Sequence, residues 1–259
     1  FVQLRGKLLP AAFEEILRRF TYQNRPIRRW NEYTLLAVNG SHVQIPNSLH
    51  DEATYFNSTK DGRGYNLLHL NTLYDLESQL YLNAAIQDGQ EEHKSRVLVE
   101  LLDRPELTEP VILIAGRGYE AYNNMSHIEQ KVWKYLIRAK DKQGILSGLR
   151  LPDVLEFDAV FSYSLSKRLT NRIRREPQKY RWIPSKVHFD YIRDASDALH
   201  PISFRVIRFS VPDDLRLFYI HFLRRKLRVF VAPSFLMYVF TKPPPRFSPG
   251  GGDIGGLSK

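Results

Sequence analysis

Val111-Ile112-Leu113-Ile114-Ala115-Gly116-Arg117-Gly118-Tyr119 decides the fold. An unbroken apolar run of this length suits a strand buried on both faces, as at the centre of a parallel or mixed sheet. The Gly-Arg-Gly that follows ends the run, and a helix is expected from about Tyr122 to Lys131. A further strand, Trp133 to Ala139, comes next. Upstream, Glu91 to Leu102 carries Val97, Leu98, Leu101 and Leu102 on one helical side. Strand, helix, strand in succession predicts helix-linked crossovers and parallel pairing.

Before the first helix the pattern changes to antiparallel strands. Asn66 to Leu76 alternates strongly, and Gln79 to Gln87 follows it, closed by Asp88-Gly89. Ahead of these, Tyr33 to Val38 and His42 to Pro46 flank Asn39-Gly40. Asn-Gly between two β-prone runs predicts a hairpin, because a type I′ turn needs positive φ at both central residues. The order is three antiparallel strands, helix, strand, helix, strand, in a mixed sheet. The fold class is therefore α/β, an α+β mixed sheet.

Two strand ends stand out within this frame. Asn39 and Gly116 each close an apolar run at a point where an acidic side chain could project into a metal site. Neither is acidic.

Beyond Lys140-Asp141-Lys142, from Gly144 to about Ser210, short β-like pieces alternate with charged and Pro-containing turns. They include Phe157 to Leu165, Lys179 to Ile183 and Ile202 to Phe209, and read as a β-rich insertion. Pro10 to Phe20 reads as an amphipathic helix with Phe13, Ile16, Leu17 and Phe20 on one side. From Val211 the character changes again, ending in Pro243-Pro244-Pro245 and a Gly-rich segment expected to be disordered. The expected organisation is 1–32 helix and connector, 33–143 core, 144–210 insertion and 211–259 atypical tail.

The chain has 259 residues, 43% hydrophobic and 12% aromatic, ample for a core. Its 38 Lys plus Arg against 28 Asp plus Glu give a net charge of +10, which points to a polyanion partner. With no cysteine, disulfides, thiolate metal sites and a cysteine nucleophile are excluded. That composition also fits a reducing compartment. No apolar stretch reaches the roughly 18 residues of a membrane span, and no signal-peptide pattern opens the chain. An opening at Phe1, not Met, reads as a fragment or processed product.

His42, His50, His69, His93, His127, His188, His200 and His221 are scattered, without the spacing of a zinc site. No serine lies in a GxSxG elbow. Gly116-Arg117-Gly118-Tyr119-Glu120-Ala121 matches the GxGxxA form of a dinucleotide fingerprint, which leaves a nucleotide-binding oxidoreductase as a remote alternative. Against it, Arg117 and Tyr119 are bulky and the strands before it form a meander. Two basic clusters, Arg172-Ile173-Arg174-Arg175 and Arg224-Arg225-Lys226-Leu227-Arg228, could grip phosphates or form solvated faces. Tyr180, Arg181 and Trp182 lie near the first in sequence and could stack on bases.

Taken together, these residues resemble the DDE transposases of bacterial insertion sequences, in the group with a β-rich insertion before the last acid. The resemblance covers about Phe1 to Ser210. It rests on Leu35 to Ser41, Tyr65 to Leu76, Val111 to Tyr122, Trp133 to Asp141 and Pro201 to Val206. It implies a ribonuclease-H-like catalytic domain in which two Asp and one Glu hold two Mg²⁺ ions for DNA strand cleavage and transfer. The family's first Asp falls on Asn39 and its second on Gly116. Its third acid, in a Tyr-Arg-Glu-Lys constellation, has no counterpart, the last Glu being Glu176.

The resemblance thus implies a transposase-like domain without an intact metal site, expected to be inactive and to need no cofactor. DNA at transposon ends is the expected partner, through Arg117, Arg138, Lys140, Arg172, Arg174 and Arg175. A homodimer, or a heterodimer with an intact transposase, is the expected assembly, in a bacterial cytoplasm and at the nucleoid. A non-enzymatic DNA-binding relic is the alternative.

Overall fold

The computed structural model describes residues 15, 19, 23–24, 28–57, 64–90, 94–103, 107–140, 144–211 and 214–220. The helix expected at Pro10–Phe20, the Arg224–Arg228 cluster and the Pro- and Gly-rich end lie outside the described residues, apart from isolated positions in the first.

The described residues form a mixed α/β structure around one large sheet. Its strands are β1 (Thr34–Ile45), β2 (Tyr55–Phe56), β3 (Tyr65–Asp75), β4 (Leu80–Asp88), β5 (Val111–Ala115), β6 (Lys134–Arg138), β7 (Phe157–Ser166), β8 (Tyr180–Trp182), β9 (Leu199–Val211) and β10 (Asp214–Ile220). Helices α1 (Lys94–Asp103), α2 (Tyr122–Gln130) and α3 (Asn171–Arg175) complete the frame. Along the sheet the order is β2-β3-β1-β5-β6-β10-β9-β7-β8, with β4 also paired to β3.

The first half has the ribonuclease-H-like arrangement. β1 and β3 are antiparallel, as are β3 and β4, whereas β5 joins β1 in parallel and β6 joins β5 in parallel. The two crossovers pass through α1 and α2, as the alternation of apolar runs and helical patterns implied. β5 is buried at every position. One of its faces packs Val111, Leu113 and Ala115 into a core with Leu36, Val38, Tyr135 and Ile137. The helices add Leu98, Leu101, Leu102, Met125 and Ile128.

The expected hairpin at Asn39-Gly40 does not form. β1 runs straight through both residues, and its register with β3 continues from Leu36↔Asp75 through Asn39↔Thr72 and Gly40↔Asn71 to Ile45↔Asn66. The continuous ladder with β3 outweighs a local turn preference, since a turn at Asn39 would forfeit the backbone pairing of the residues that follow it. The chain reverses in the polar segment after Ile45 instead. Glycine at position 40 has a different reason. A Cβ there would meet His69 Nε2 at 2.5 Å and Asn71 Oδ1 at 2.8 Å, so β3's side chains occupy the space it vacates.

The β-like pieces beyond residue 144 also form strands. β7 and β9 are antiparallel, and β8 adds to β7 in parallel at the far end of the sheet. Leu165, Ile183, Phe189, Ile202, Phe204 and Val206 belong to the same hydrophobic cluster as the helices of the first half. β9 crosses position 210, and β10 beyond it bridges β9 to β6, so the sheet is continuous from β6 onward.

Candidate metal centre and nucleic-acid interface

Parallel pairing places Val38 opposite Ala115, the last pair of the β1–β5 ladder. Asn39, within β1, and Gly116, just past β5, are the next residues and fall side by side where the ladder ends. Ala115 is in turn opposite Ile137 on β6, so Arg138 follows on the other side of Gly116. Sequence positions 39, 116 and 138 thus lie in a row at the same end of neighbouring strands, with Arg117 next in the chain to Gly116 and Lys140 two residues beyond Arg138. Arg172, Arg174 and Arg175 do not belong to this group. They sit on α3, next to the terminal strand β8.

The donor groups at the edge do not suit Mg²⁺. The ion favours several hard, anionic oxygens in near-octahedral geometry. Asn39 is exposed, and its Oδ1 accepts a hydrogen bond from the backbone N–H of Gly40 at 2.9 Å. Gly116 has no side chain, in ordinary extended backbone at φ −74°. Among the described residues no group of three or more His, Asp or Glu is placed to hold a metal ion. The nearby acid is Glu120, and its oxygens serve the fold. Oε2 accepts from Lys140 N–H at 2.6 Å and Oε1 from Ile145 N–H at 2.8 Å. This clamp ties the end of β6 to the following turn, where Gly144 takes φ +62°, a conformation that favours glycine. The residues present do not fit the family's metal pair.

Behind the edge lies a buried polar network. Tyr119 donates its hydroxyl to Asn71 Oδ1 at 2.7 Å, and Asn124 Nδ2 donates to the Tyr119 carbonyl at 2.8 Å. Both asparagines are fully buried. No local pattern marks Asn71 as part of this site. It arrives through the β1–β3 register, which sets it opposite Gly40.

The same geometry decides the dinucleotide fingerprint. Arg117–Tyr119 form a 3-10 turn in which Tyr119 N–H donates to Gly116 C=O and Glu120 N–H to Arg117 C=O. These amides are used inside the turn, and α2 starts only at Tyr122. A pyrophosphate-binding loop needs free amides leading directly into a helix N-terminus.

Of the expected DNA-binding residues, Arg117, Arg174 and Arg175 are exposed, whereas Arg138 and Lys140 are half-buried. Arg172 is exposed too, with its guanidinium over the Tyr180 ring at 5.2 Å and a long contact of 3.9 Å to Glu176. Short α3 is started by Thr170, whose hydroxyl accepts from Ile173 N–H at 3.3 Å. The three residues expected to stack on bases divide. Tyr180 is buried, Trp182 is exposed, and Arg181 lies over the Tyr163 ring at 4.9 Å. Strand alternation puts Arg181 on the opposite face of β8 from Tyr180 and Trp182.

A second cluster went unread in the sequence because its members are far apart in the chain. Asp190 Oδ2 lies 2.6 Å from His127 Nε2 and accepts from Asn123 Nδ2 at 2.9 Å, while Oδ1 lies 2.7 Å from His188 Nε2. Burial pushes the Asp190 carboxyl up. The hydrogen bonds from His127 and Asn123 and the charge of His188 outweigh it and hold the group below the usual aspartate value. Near the start of α2, Tyr122 is pushed up to about 12, chiefly by burial, with Arg181 pulling the other way.

The order of strands and helices, together with the paired strand ends, defines a ribonuclease-H-like α/β domain. The Transposase DDE domain family matches residues 30–242, and the chain belongs to that family. The match begins later than the sequence resemblance implied and runs through Val211, where a departure from the family was expected. A solved piggyBac transposase, in a synaptic complex with hairpin DNA, is similar at 7% identity with a TM-score of 0.44. The likeness covers 79% of this chain and 37% of that one, so the chain spans well under half the length of that transposase. No curated protein matches the chain.

Proposed function

We propose that this chain is a transposase-like DNA-binding domain of an insertion sequence that no longer cleaves or transfers strands. The observation that carries the reading is the placement of Asn39 beside Gly116. These are the positions where the family's metal-holding acids fall, and they supply one neutral amide and no side chain. Without carboxylates there is no charge to concentrate divalent cations and no template to align an in-line attack. Loss of chemistry, not reduced rate, is the expected consequence. Net charge and the exposed Arg174 and Arg175 support binding to transposon-end DNA. In this reading residues 33–143 are the core, 144–210 an insertion within the continuous sheet and the remainder its flanks.

The test is cleavage of transposon-end DNA with Mg²⁺ or Mn²⁺, alongside binding measured across a salt series. No cleavage is expected, with binding that weakens steeply as salt rises. Turnover that is lost on chelation would overturn the inactivity. Salt-independent binding, or none, would overturn the DNA-binding role.

A regulatory relic is the second reading, in which the chain occupies transposon ends or pairs with an intact transposase. It is favoured by a well-packed core persisting around the altered edge. Inhibition of an intact transposase by the added chain would distinguish it.

A further inference from the structure

An open groove of about 590 Å³ lies across β7, β8 and β9. Its floor crosses these strands in two successive rows. Ser164 stands between Tyr180 and Pro201, and Ser162 stands opposite Ser203. Leu165, Ile202 and Phe204 turn into the hydrophobic cluster, so strand alternation turns the three serines to the other face. Ser162 and Ser203 are exposed, with their hydroxyl oxygens 2.9 Å apart. Short polar side chains at mid-sheet leave depth and hydrogen-bonding capacity where branched or aromatic residues would fill the space. The volume falls within the roughly 300–1,000 Å³ of ordinary ligand sites. Charge is uneven around it. Lys179 borders the β8 side, and Glu129 of α2 borders the β9 side, where Ser126 one turn earlier meets His200 at 3.1 Å.

We propose that this groove seats a nucleotide unit of a single nucleic-acid strand, its phosphate toward Lys179 and its base over the serine floor. The inference rests on the DNA-binding reading above and adds to it the surface that holds the strand. The polarity follows from charge, since Glu129 repels a phosphate and Lys179 attracts one. Nucleic acid is favoured over a neutral ligand by what surrounds the groove. Arg172 lies over the Tyr180 ring at 5.2 Å, and Arg174 and Arg175 stand exposed on the same short helix. One row beyond Ser164, on the same face, Ser166 lies between Trp182 and Leu199, and the Trp182 ring is exposed. A strand crossing here meets cations, hydroxyls and a flat aromatic ring in succession, the combination that holds unpaired bases.

The test measures binding of a twelve-residue oligothymidylate across a salt series, with a melting midpoint for each protein. The full chain is compared with Ser162→Phe, Val160→Phe and Lys179→Gln. Ser162→Phe fills the groove with a residue that strands accept. Val160→Phe puts the same ring two residues away on the same exposed face of β7, outside the lining. Ser162→Phe should bind about tenfold more weakly, as expected when one seated base is lost. Val160→Phe should bind as the parent does, and the two Phe variants should melt together. Lys179→Gln should keep the parent midpoint and lower the salt slope by about one. Thymidine monophosphate at equal concentration should leave the oligonucleotide bound.

Parent-like affinity in Ser162→Phe, or an equal loss in Val160→Phe, would overturn the groove and leave DNA binding by the domain intact. If Ser162→Phe melts well below Val160→Phe, the decision passes to Lys179→Gln, and an unchanged salt slope there overturns the proposal. Displacement by thymidine monophosphate would make the groove a free-nucleotide site and overturn the strand. Failure of the parent to bind the oligonucleotide at all would overturn the groove assignment together with the DNA-binding reading.

Discussion

Gly40 and Asn71 face each other across the β1–β3 ladder, and Asn71 Oδ1 occupies the space a Cβ at position 40 would need. The same oxygen accepts the Tyr119 hydroxyl. A residue beside Asn39 is thereby tied to the turn that follows Gly116.

Gly40→Ala tests the close approach directly. The new methyl would lie 2.5 Å from His69 Nε2 and 2.8 Å from Asn71 Oδ1, with both side chains buried. Overpacking of this kind costs about 1–3 kcal/mol. A lowered denaturation midpoint with an unchanged m-value is expected. An unaltered midpoint would show that β3 yields freely at this point.

Tyr119→Phe removes the 2.7 Å hydrogen bond and leaves Asn71 Oδ1 without its hydroxyl donor inside the protein. The cost of such an unsatisfied buried group is about 1–3 kcal/mol. Replacing Asn71 by Leu as well should make the second change cheaper than it is alone, because the stranded acceptor disappears. A double-mutant cycle measures that coupling. Strict additivity would show that the two groups do not depend on each other.

How far the sequence exposed this arrangement varies by element. β5 is legible because Val111 to Ala115 is apolar throughout, and a strand buried on both faces permits nothing else. The helices are legible from spacing, and β7 and β9 from short β-prone runs between turns. Asn39-Gly40 misleads because a strong local turn signal lies within a strand whose partner is some thirty residues away. Sequence reading weighs local preference well and has little access to a ladder closed by distant residues. The site divides along the same line. Asn39 and Gly116 are visible as strand ends, whereas Asn71 and the partners of Asp190 depend on register and packing.

Acid should weaken the clamp at Asp190. Its carboxyl is pushed up by burial but held lower overall by hydrogen bonds from His127 and Asn123 and by the charge of His188. A group with a folded value below its unfolded value contributes stability that is fully present above the unfolded value, about 3.9 for aspartate. That contribution disappears as pH falls through the still lower folded value. Asp190→Asn should therefore flatten the acid limb of the stability curve below about pH 4, with reduced stability at neutral pH. An unchanged acid limb in urea titrations at stepped pH would exclude this role.

Asn39→Asp with Gly116→Asp asks whether the edge can be returned to chemistry. Gly116 lies in extended backbone, and a Cβ there meets nothing within 4 Å, so the fold should accept an acid without strain. At position 39 the side chain is exposed, and Asp can accept the same Gly40 N–H that Asn does. Both replacements should change stability by about 0.5 kcal/mol or less, as for surface substitutions away from packing. Strand cleavage should nevertheless not return, because two carboxylates leave a two-metal site without its third acid. The measurement is Mn²⁺-dependent cleavage of end DNA by the double variant. Any turnover would mean that another group fills the missing position. Glu120 would be the first to substitute, since releasing its clamp on Lys140 and Ile145 would free a carboxylate beside the edge.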